Sequence, residues 1–430
     1  MASTVTVTQA AKIVPTANAS ATGDTVLVGD GIHDHTSEET ITKGGVIVRP
    51  ANKGKCTIKG APIHVTGSLA EFRDFILQYG STNQTVCNLR GAGVKFLNNV
   101  CQFLNKTTKR NDWFYIGANN VLFEGNDIPG KSGLGNIVLV GAGSVYTGVK
   151  ILNNRIYKHS AGSTPDVTNG YEMIRIGNST VAAKNFGCEV AGNTLEDSSM
   201  PDSELITVKS SGNDIHDNTI KNCSATICLR HGRLNKVRNN NFQNGGLRIY
   251  GRGHEVTGNK FTRNPLSDLR QIVIGNAQYP EEESNTTAGY TQVRDLLFEK
   301  NTIDMQDSTD KIIVSWGYGS YSLKPLNNKF INNSIVASRG TLANTRDGAS
   351  WNGNTVSGNL LWATGSARYG DMPTAGYTKK DPSTVTPPTP IPPEPIPIPP
   401  EPTPSPIPLT LEQRVARLEK QVFGSVYQPP

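Results

Sequence analysis

The chain is 430 residues long and rich in glycine (43) and proline (26), with 18% charged residues and a formal net charge of +6. That surplus favours a polyanionic partner, but no Lys/Arg block interleaved with aromatic residues marks a nucleic-acid surface. No run is long and apolar enough to span a membrane, and Met1-Ala-Ser-Thr-Val-Thr-Val-Thr lacks the basic start and apolar core of a signal peptide.

Along the chain an octet recurs in which an apolar residue stands three before an Asn and another, usually apolar, two after it. The copies run from Phe96/Asn99/Cys101 through Phe123/Asn126/Ile128, Ile151/Asn154/Ile156, Val190/Asn193/Leu195, Ile215/Asn218/Ile220 and Val237/Asn240/Phe242. They continue with Val256/Asn259/Phe261, Phe298/Asn301/Ile303, Phe330/Asn333/Ile335 and Trp351/Asn354/Val356. Successive Asn numbers differ by 218−193 = 25, 240−218 = 22 and 259−240 = 19. Those intervals fit one coil of an all-β, right-handed, single-stranded parallel β-helix, a solenoid whose repeats bury their apolar faces only against neighbours. Each Asn is expected to stack on that of the next coil at a tight turn, its amide bonding nearby backbone. Longer gaps, 193−154 = 39 and 301−259 = 42, must hold loops thrown out from the coil. A solenoid also explains how one domain spans residues 1–375, beyond the usual size of a compact core. The six cysteines (56, 87, 101, 188, 223, 228) form no CxxC pair and no zinc spacing, so buried free thiols are expected.

The middle of the array carries the chemistry. Asp202 and Glu204 are two apart, so on a strand their carboxylates share a face; with the amide oxygen of Asn169 they suit a hard cation such as Ca²⁺. Lys209 and Arg230 are 21 apart, which places them on adjacent coils about 5 Å apart along the axis. Strict alternation would send Lys209 to the face opposite Glu204, so a bend at a coil corner is expected between them.

Beyond the coils, residues 376–408 form a proline-rich spacer, as in Pro392-Pro-Glu-Pro-Ile-Pro-Ile-Pro-Pro400. In the segment 409–424, Leu411, Val415, Leu418 and Val422 step by 4, 3 and 4, the seam of a short coiled coil, followed by a tail at 425–430. Arg-Val-Ala-Arg-Leu-Glu within it resembles a trimerisation motif, so a homotrimer through 411–422 is expected; an amphipathic helix docked on the domain is the alternative.

Four motifs, NGYEMIRIG (169–177), DSELITVKS (202–210), CLRHG (228–232) and GGLRIYGRGHEV (245–256), resemble polysaccharide lyase family 6, the alginate lyases and chondroitinase B-type enzymes. Weaker similarity runs from about residue 15 to about 365. The resemblance implies a parallel β-helix lyase acting on an acidic polysaccharide, alginate before dermatan or chondroitin. It implies Asn169, Asp202 and Glu204 as Ca²⁺ ligands, Lys209 as Brønsted base and Arg230 as Brønsted acid. Arg175, His231, Arg248, Tyr250 and His254 would bind substrate, with His231 and Tyr250 as alternative proton donors. The family usually has Glu where Asp202 stands. A tailspike-like or pectinase-like glycoside hydrolase, using carboxylate pairs on the same scaffold, is the second reading; a non-catalytic polysaccharide-binding virion protein is the third. An extracellular setting, secreted or phage-borne, is expected.

Overall fold

The computed structural model describes residues 2–80, 85–104, 110–160, 170–199, 204–263, 272–284, 289–306, 311–316, 321–346 and 351–379. The chain winds as a right-handed parallel β-helix with three long sheets of 14, 13 and 14 strands. One coil shows the plan: Asp214–His216, Thr219–Cys223 and Thr226–His231 contribute one strand to each sheet. The next coil repeats it with Lys236–Arg238, Asn241–Gln243 and Gly246–Ile249.

Strands this short are held by stacking like on like. Ile215 lies in register with Val237, and Ile220 with Phe242, so each coil presents an apolar residue beneath that of its neighbour. Aromatic residues stack the same way, Phe72 on Phe96 and Phe96 on Phe123 at centroid distances of 5.9 and 5.5 Å. The N-terminal end of this column would be open. It is closed by the helix Ile13–Ala19, which buries Ile13, Val14 and Ala17 against the first strands.

The asparagine repeat forms a continuous ladder through Asn99, Asn126, Asn154, Asn193, Asn218, Asn240, Asn259, Asn301, Asn333 and Asn359. In each step Oδ1 accepts from the backbone N–H and the side-chain amide of the Asn one coil earlier, as in Asn218 to Asn240 at 3.0 and 2.9 Å. The residue before each rung turns the corner in the left-handed region, for example Asn153 (φ +56°), Gly192 (φ +66°) and Asn239 (φ +55°). Asn354 does not belong to this ladder. The last rung is Asn359, bonded by Asn333 at 3.0 and 2.9 Å, while Asn354 receives Asn328 at a different corner. That second corner also uses stacked amides, Asn213 on Asn235 at 2.9 Å, because both turns must satisfy inward backbone N–H groups.

All six cysteines are free and buried. The last described strand, Tyr377–Lys379, pairs with Asn359–Ala363, so the β-helix includes residues past 375. No described helix is long and apolar enough to cross a membrane. The expected coiled coil at 409–424 and the proline-rich spacer from 380 onward lie outside the described residues.

Candidate active site

Of the expected site residues, Arg175, Glu204, Lys209, Arg230, His231 and Arg248 lie on the 13-stranded sheet. Four successive strands carry them: Ile174–Gly177, Glu204–Lys209, Thr226–His231 and Gly246–Ile249. Their middle row places Arg175 beside Thr207, Thr207 beside Cys228 and Cys228 beside Arg248.

The parity conflict between Glu204 and Lys209 is resolved inside the strand and not at a coil corner. Glu204 pairs with Thr226 but Ile206 with Ile227, so Leu205 is an extra residue; Val208 pairs with Leu229 but Lys209 with His231, so Arg230 is extra on the other strand. Leu205 and Ile206 consecutively enter the core, after which Thr207 and Lys209 face the same side as Glu204. A β-bulge re-aims side chains in this way.

Glu204 is the electrostatic centre. It is 2% exposed, with Arg230 Nη1 at 2.9 Å, Arg248 Nη1 at 3.5 Å and the Thr207 hydroxyl donating at 2.7 Å. Burial pushes its carboxyl up, but Arg230, Arg248 and Lys209 together outweigh burial and hold it below the usual value. The same pairing drives the Arg230 guanidinium further above its ordinary value despite desolvation, so Arg230 stays charged. Lys209 is depressed, first by burial and then by the positive charge of Arg175 and Arg230. Burial, with Arg230 and Lys209 nearby, pulls His231 down to about 3 and leaves its imidazole neutral.

Glu172, inside the NGYEMIRIG motif, was not singled out by sequence. It sits in register with Asn136 on one side and Glu204 on the other, as the backbone pairing of Ile137 with Glu172 and of Ile174 with Ile206 requires. It is fully buried, yet among the described residues neither carboxylate oxygen has a hydrogen-bond partner, and the Oδ1 of Asn136 has none there either. Such a group costs several kcal/mol, of order 1–3 or more for a charge, unless a cation faces it. Glu172 beside Glu204 therefore fits a hard cation. Among the described residues no three His, Cys, Asp or Glu side chains converge as a metal cluster, and Asn169 and Asp202 lie outside them.

His254 is a correction. It is fully buried at the second coil corner, where its Nδ1 accepts from Asn235 N–H at 3.1 Å and its Nε2 donates to the Tyr250 carbonyl at 2.9 Å. Burial lowers it to about 4. It replaces an asparagine of the corner ladder and has no ring nitrogen left for a substrate. Tyr250 does lie on the site face, its ring overlying Gly275, where a Cβ would fall 2.0 Å from the Tyr250 ring. Stacked on it at 3.9 Å is Tyr290, from the long interval between Asn259 and Asn301. No spacing or motif in the sequence signals Tyr290.

The sequence model of the family described as Chondroitinase B matches residues 7–321. No curated protein matches. Among solved structures the chain is similar to "a new PL6 alginate lyase complex with trisaccharide", at a TM-score of 0.69 and 18% identity over 88% of each chain. It is similar to a mannuronic acid specific polysaccharide family 6 lyase from human gut microbiota, at 0.65 and 18% over 84% of this chain and 86% of that one. The alginate lyase AlyGC aligns at 0.66 and 20%, over 88% of this chain and 53% of its own. The family match spans most of the chain and includes every residue of the site just described: this protein belongs to the Chondroitinase B family, the polysaccharide lyases of family 6.

Proposed function

We propose that this lyase cleaves an acidic uronate polymer, alginate in preference to dermatan or chondroitin, by β-elimination, with Lys209 as base, Arg230 at the leaving oxygen and Ca²⁺ as cofactor. The observation that carries the reading is the bulged strand pair, which sets a depressed lysine and a permanently charged arginine on one face around Glu204.

Lys209 abstracts the C5 proton in its neutral form, which its burial and its neighbours Arg175 and Arg230 favour. The C5–H electron pair becomes the C4–C5 double bond as the C4–O4 bond breaks. Arg230 holds the departing O4 with charged hydrogen bonds, and water returns the proton, since a guanidinium raised by Glu204 does not surrender its own. His231, neutral and adjacent, is a donor of hydrogen bonds to the same sugar. Arg175 and Arg248 supply positive charge for uronate carboxylates.

Glu204 and Glu172, with Asn169 and Asp202, are the residues that would hold the cation. When bound, Ca²⁺ supplies Lewis-acid neutralisation of the uronate carboxylate, which acidifies the C5 proton. An enzyme for such a polymer belongs outside the cell, secreted or virion-associated, and the 411–422 seam is assigned to a homotrimer.

The test is the ultraviolet absorbance of the unsaturated uronate, with alginate, mannuronate-rich and guluronate-rich blocks, and dermatan sulfate, each with Ca²⁺ or chelator. A rise on alginate that chelator stops is expected. No rise on any polymer, with reducing ends released, would mean hydrolysis.

A further inference from the structure

Between Gly275 and Leu297 the chain leaves the coil; the described parts of this excursion are 276–284 and 289–296. The two arms run together. Gln278 and Tyr279 N–H both donate to the Tyr290 carbonyl, at 3.0 and 3.1 Å, and Gln292 N–H donates to the Tyr279 carbonyl at 2.8 Å. Away from the reacting groups the excursion is tied to arginines of earlier coils, Glu281 to Arg252 at 2.8 Å and Glu283 to Arg233, while Glu281 also pairs with Arg294 within the excursion. Its apolar side forms a small cluster of its own, Tyr250, Ala277 and Tyr290 with Tyr321 and Leu323, separate from the main core.

The product of this anchoring is the location of the Tyr290 ring. Its centroid lies 5.5 Å from the Arg230 guanidinium and 6.3 Å from the His231 ring, and its hydroxyl is 3.4 Å from Arg248 Nη2. Arg230 needs a second constraint. Among the described residues the only side-chain oxygen holding it is Glu204 Oε1 at Nη1, and its buried Nε has no hydrogen-bond partner there, so the planar fork could pivot about that contact. An aromatic face over a desolvated guanidinium supplies it.

We propose that Tyr290 is a positioning residue for the elimination, its ring delivered by the 276–296 excursion to hold the Arg230 guanidinium in its working attitude. This rests on Arg230 acting at the leaving oxygen. The ring, and not the hydroxyl, is the operative group, because the hydroxyl is turned toward the buried Arg248.

Four single variants of the full chain and one double variant test it by steady-state elimination. Tyr290→Leu should lower kcat roughly tenfold with KM within about twofold, the size expected for a desolvated cation–π contact. Tyr290→Phe keeps the ring and should restore kcat to within about threefold of the parent. Glu281→Gln, on the outer side of the excursion, should lower kcat by a smaller factor and add nothing in a Tyr290→Leu background. Wild-type kcat in Tyr290→Leu, equal losses in the Leu and Phe variants, or additive losses with Glu281→Gln would each overturn the proposal. If Tyr290→Leu proves misfolded by circular dichroism, Glu281→Gln against Tyr290→Phe decides: unchanged kcat in Glu281→Gln, or a severe loss in Tyr290→Phe, overturns it. Arg230→Ala separates the two levels. If it retains turnover the reading of the site fails; if it is inactive while Tyr290→Leu is normal, only the role of Tyr290 fails.

Discussion

Replacing Glu172 by Gln should change calcium affinity and stability in opposite directions. In the folded protein this carboxylate is fully buried, neither oxygen is bonded by a described residue, and the neighbouring strand presents a second carboxylate, Glu204. Glu204 has two arginines beside it; Glu172 has the more distant attraction of Lys209 and, among the described residues, no hydrogen-bond partner. Leaving a buried charged group unsatisfied costs about 3 kcal/mol, and a cation facing it would recover that amount. The Gln variant keeps the shape and removes the charge. It should therefore bind Ca²⁺ roughly a hundredfold more weakly, about 3 kcal/mol at 1.4 kcal/mol per decade. Stripped of calcium, the variant should unfold at a higher temperature than the parent, and this advantage should vanish in saturating Ca²⁺, where only the parent gains fully from binding. Calorimetric titration of Ca²⁺ into chelator-treated protein, with thermal melts in both conditions, measures each half. Unchanged Ca²⁺ affinity in Glu172→Gln, when Asp202→Asn is weakened, would refute a role for Glu172 at the cation.

Lys209→Ala should cost about 10²–10⁴ in kcat, the contribution of a positioned general base, and substantial residual turnover would remove Lys209 from that role. In the parent, turnover should climb as pH rises through the depressed Lys209 value, since only the neutral amine accepts the C5 proton, and a rate falling from pH 6 to pH 9 would contradict this. Glu282 is buried and raised to about 7 from 4.5, so it favours the folded state below about pH 4.5 and that advantage is lost as pH rises to about 7. Glu282→Gln should accordingly stabilise the protein by up to about 3 kcal/mol at pH 8 and leave it unchanged at pH 4, as read by denaturant titration. Removing residues 382–430 should lower the oligomer mass in light scattering without abolishing catalysis, and a monomeric intact chain would exclude the trimer.

The coil plan was legible because its signal is periodic: each Asn marks a corner whose backbone needs an amide, and its apolar flanks mark the strands either side. Asn354 misled because two corners of a coil share that need, and the spacing of Trp351 and Val356 around it mimics the other corner. The residue types were legible within the motifs, whose Lys209, Arg230, His231 and Arg248 fall on three adjoining strands. Their facing was not. A bulge exists only between two paired strands, so nothing in DSELITVKS by itself announces that Leu205 is supernumerary. His254 was drawn in by proximity to Arg248 and Tyr250 in one motif, although its ring serves the corner. Glu172 lay in plain view among apolar residues, where a carboxylate entering a buried strand was itself the clue. Tyr290 left no trace, because its place depends on the pairing of an excursion with arginines of earlier coils, Arg252 and Arg233.

The two bulges of the central strand pair have an evolutionary consequence. The residue added at Leu205 is answered by the one added at Arg230, so the offset between the strands goes from 226−204 = 22 to 227−206 = 21 and back to 231−209 = 22. The strands on either side, Ile174–Gly177 and Gly246–Ile249, pair without any shift. Within this pair the shift is self-cancelling, while the doubled inward step at Leu205/Ile206 recurs in the coils before it, at Met173/Ile174, Ile137/Val138 and Trp113/Phe114. Because the coils before it share that doubled step, coils of that kind can be gained or lost without re-aiming Lys209, whereas the residue added at Arg230 belongs to its own coil and travels with it.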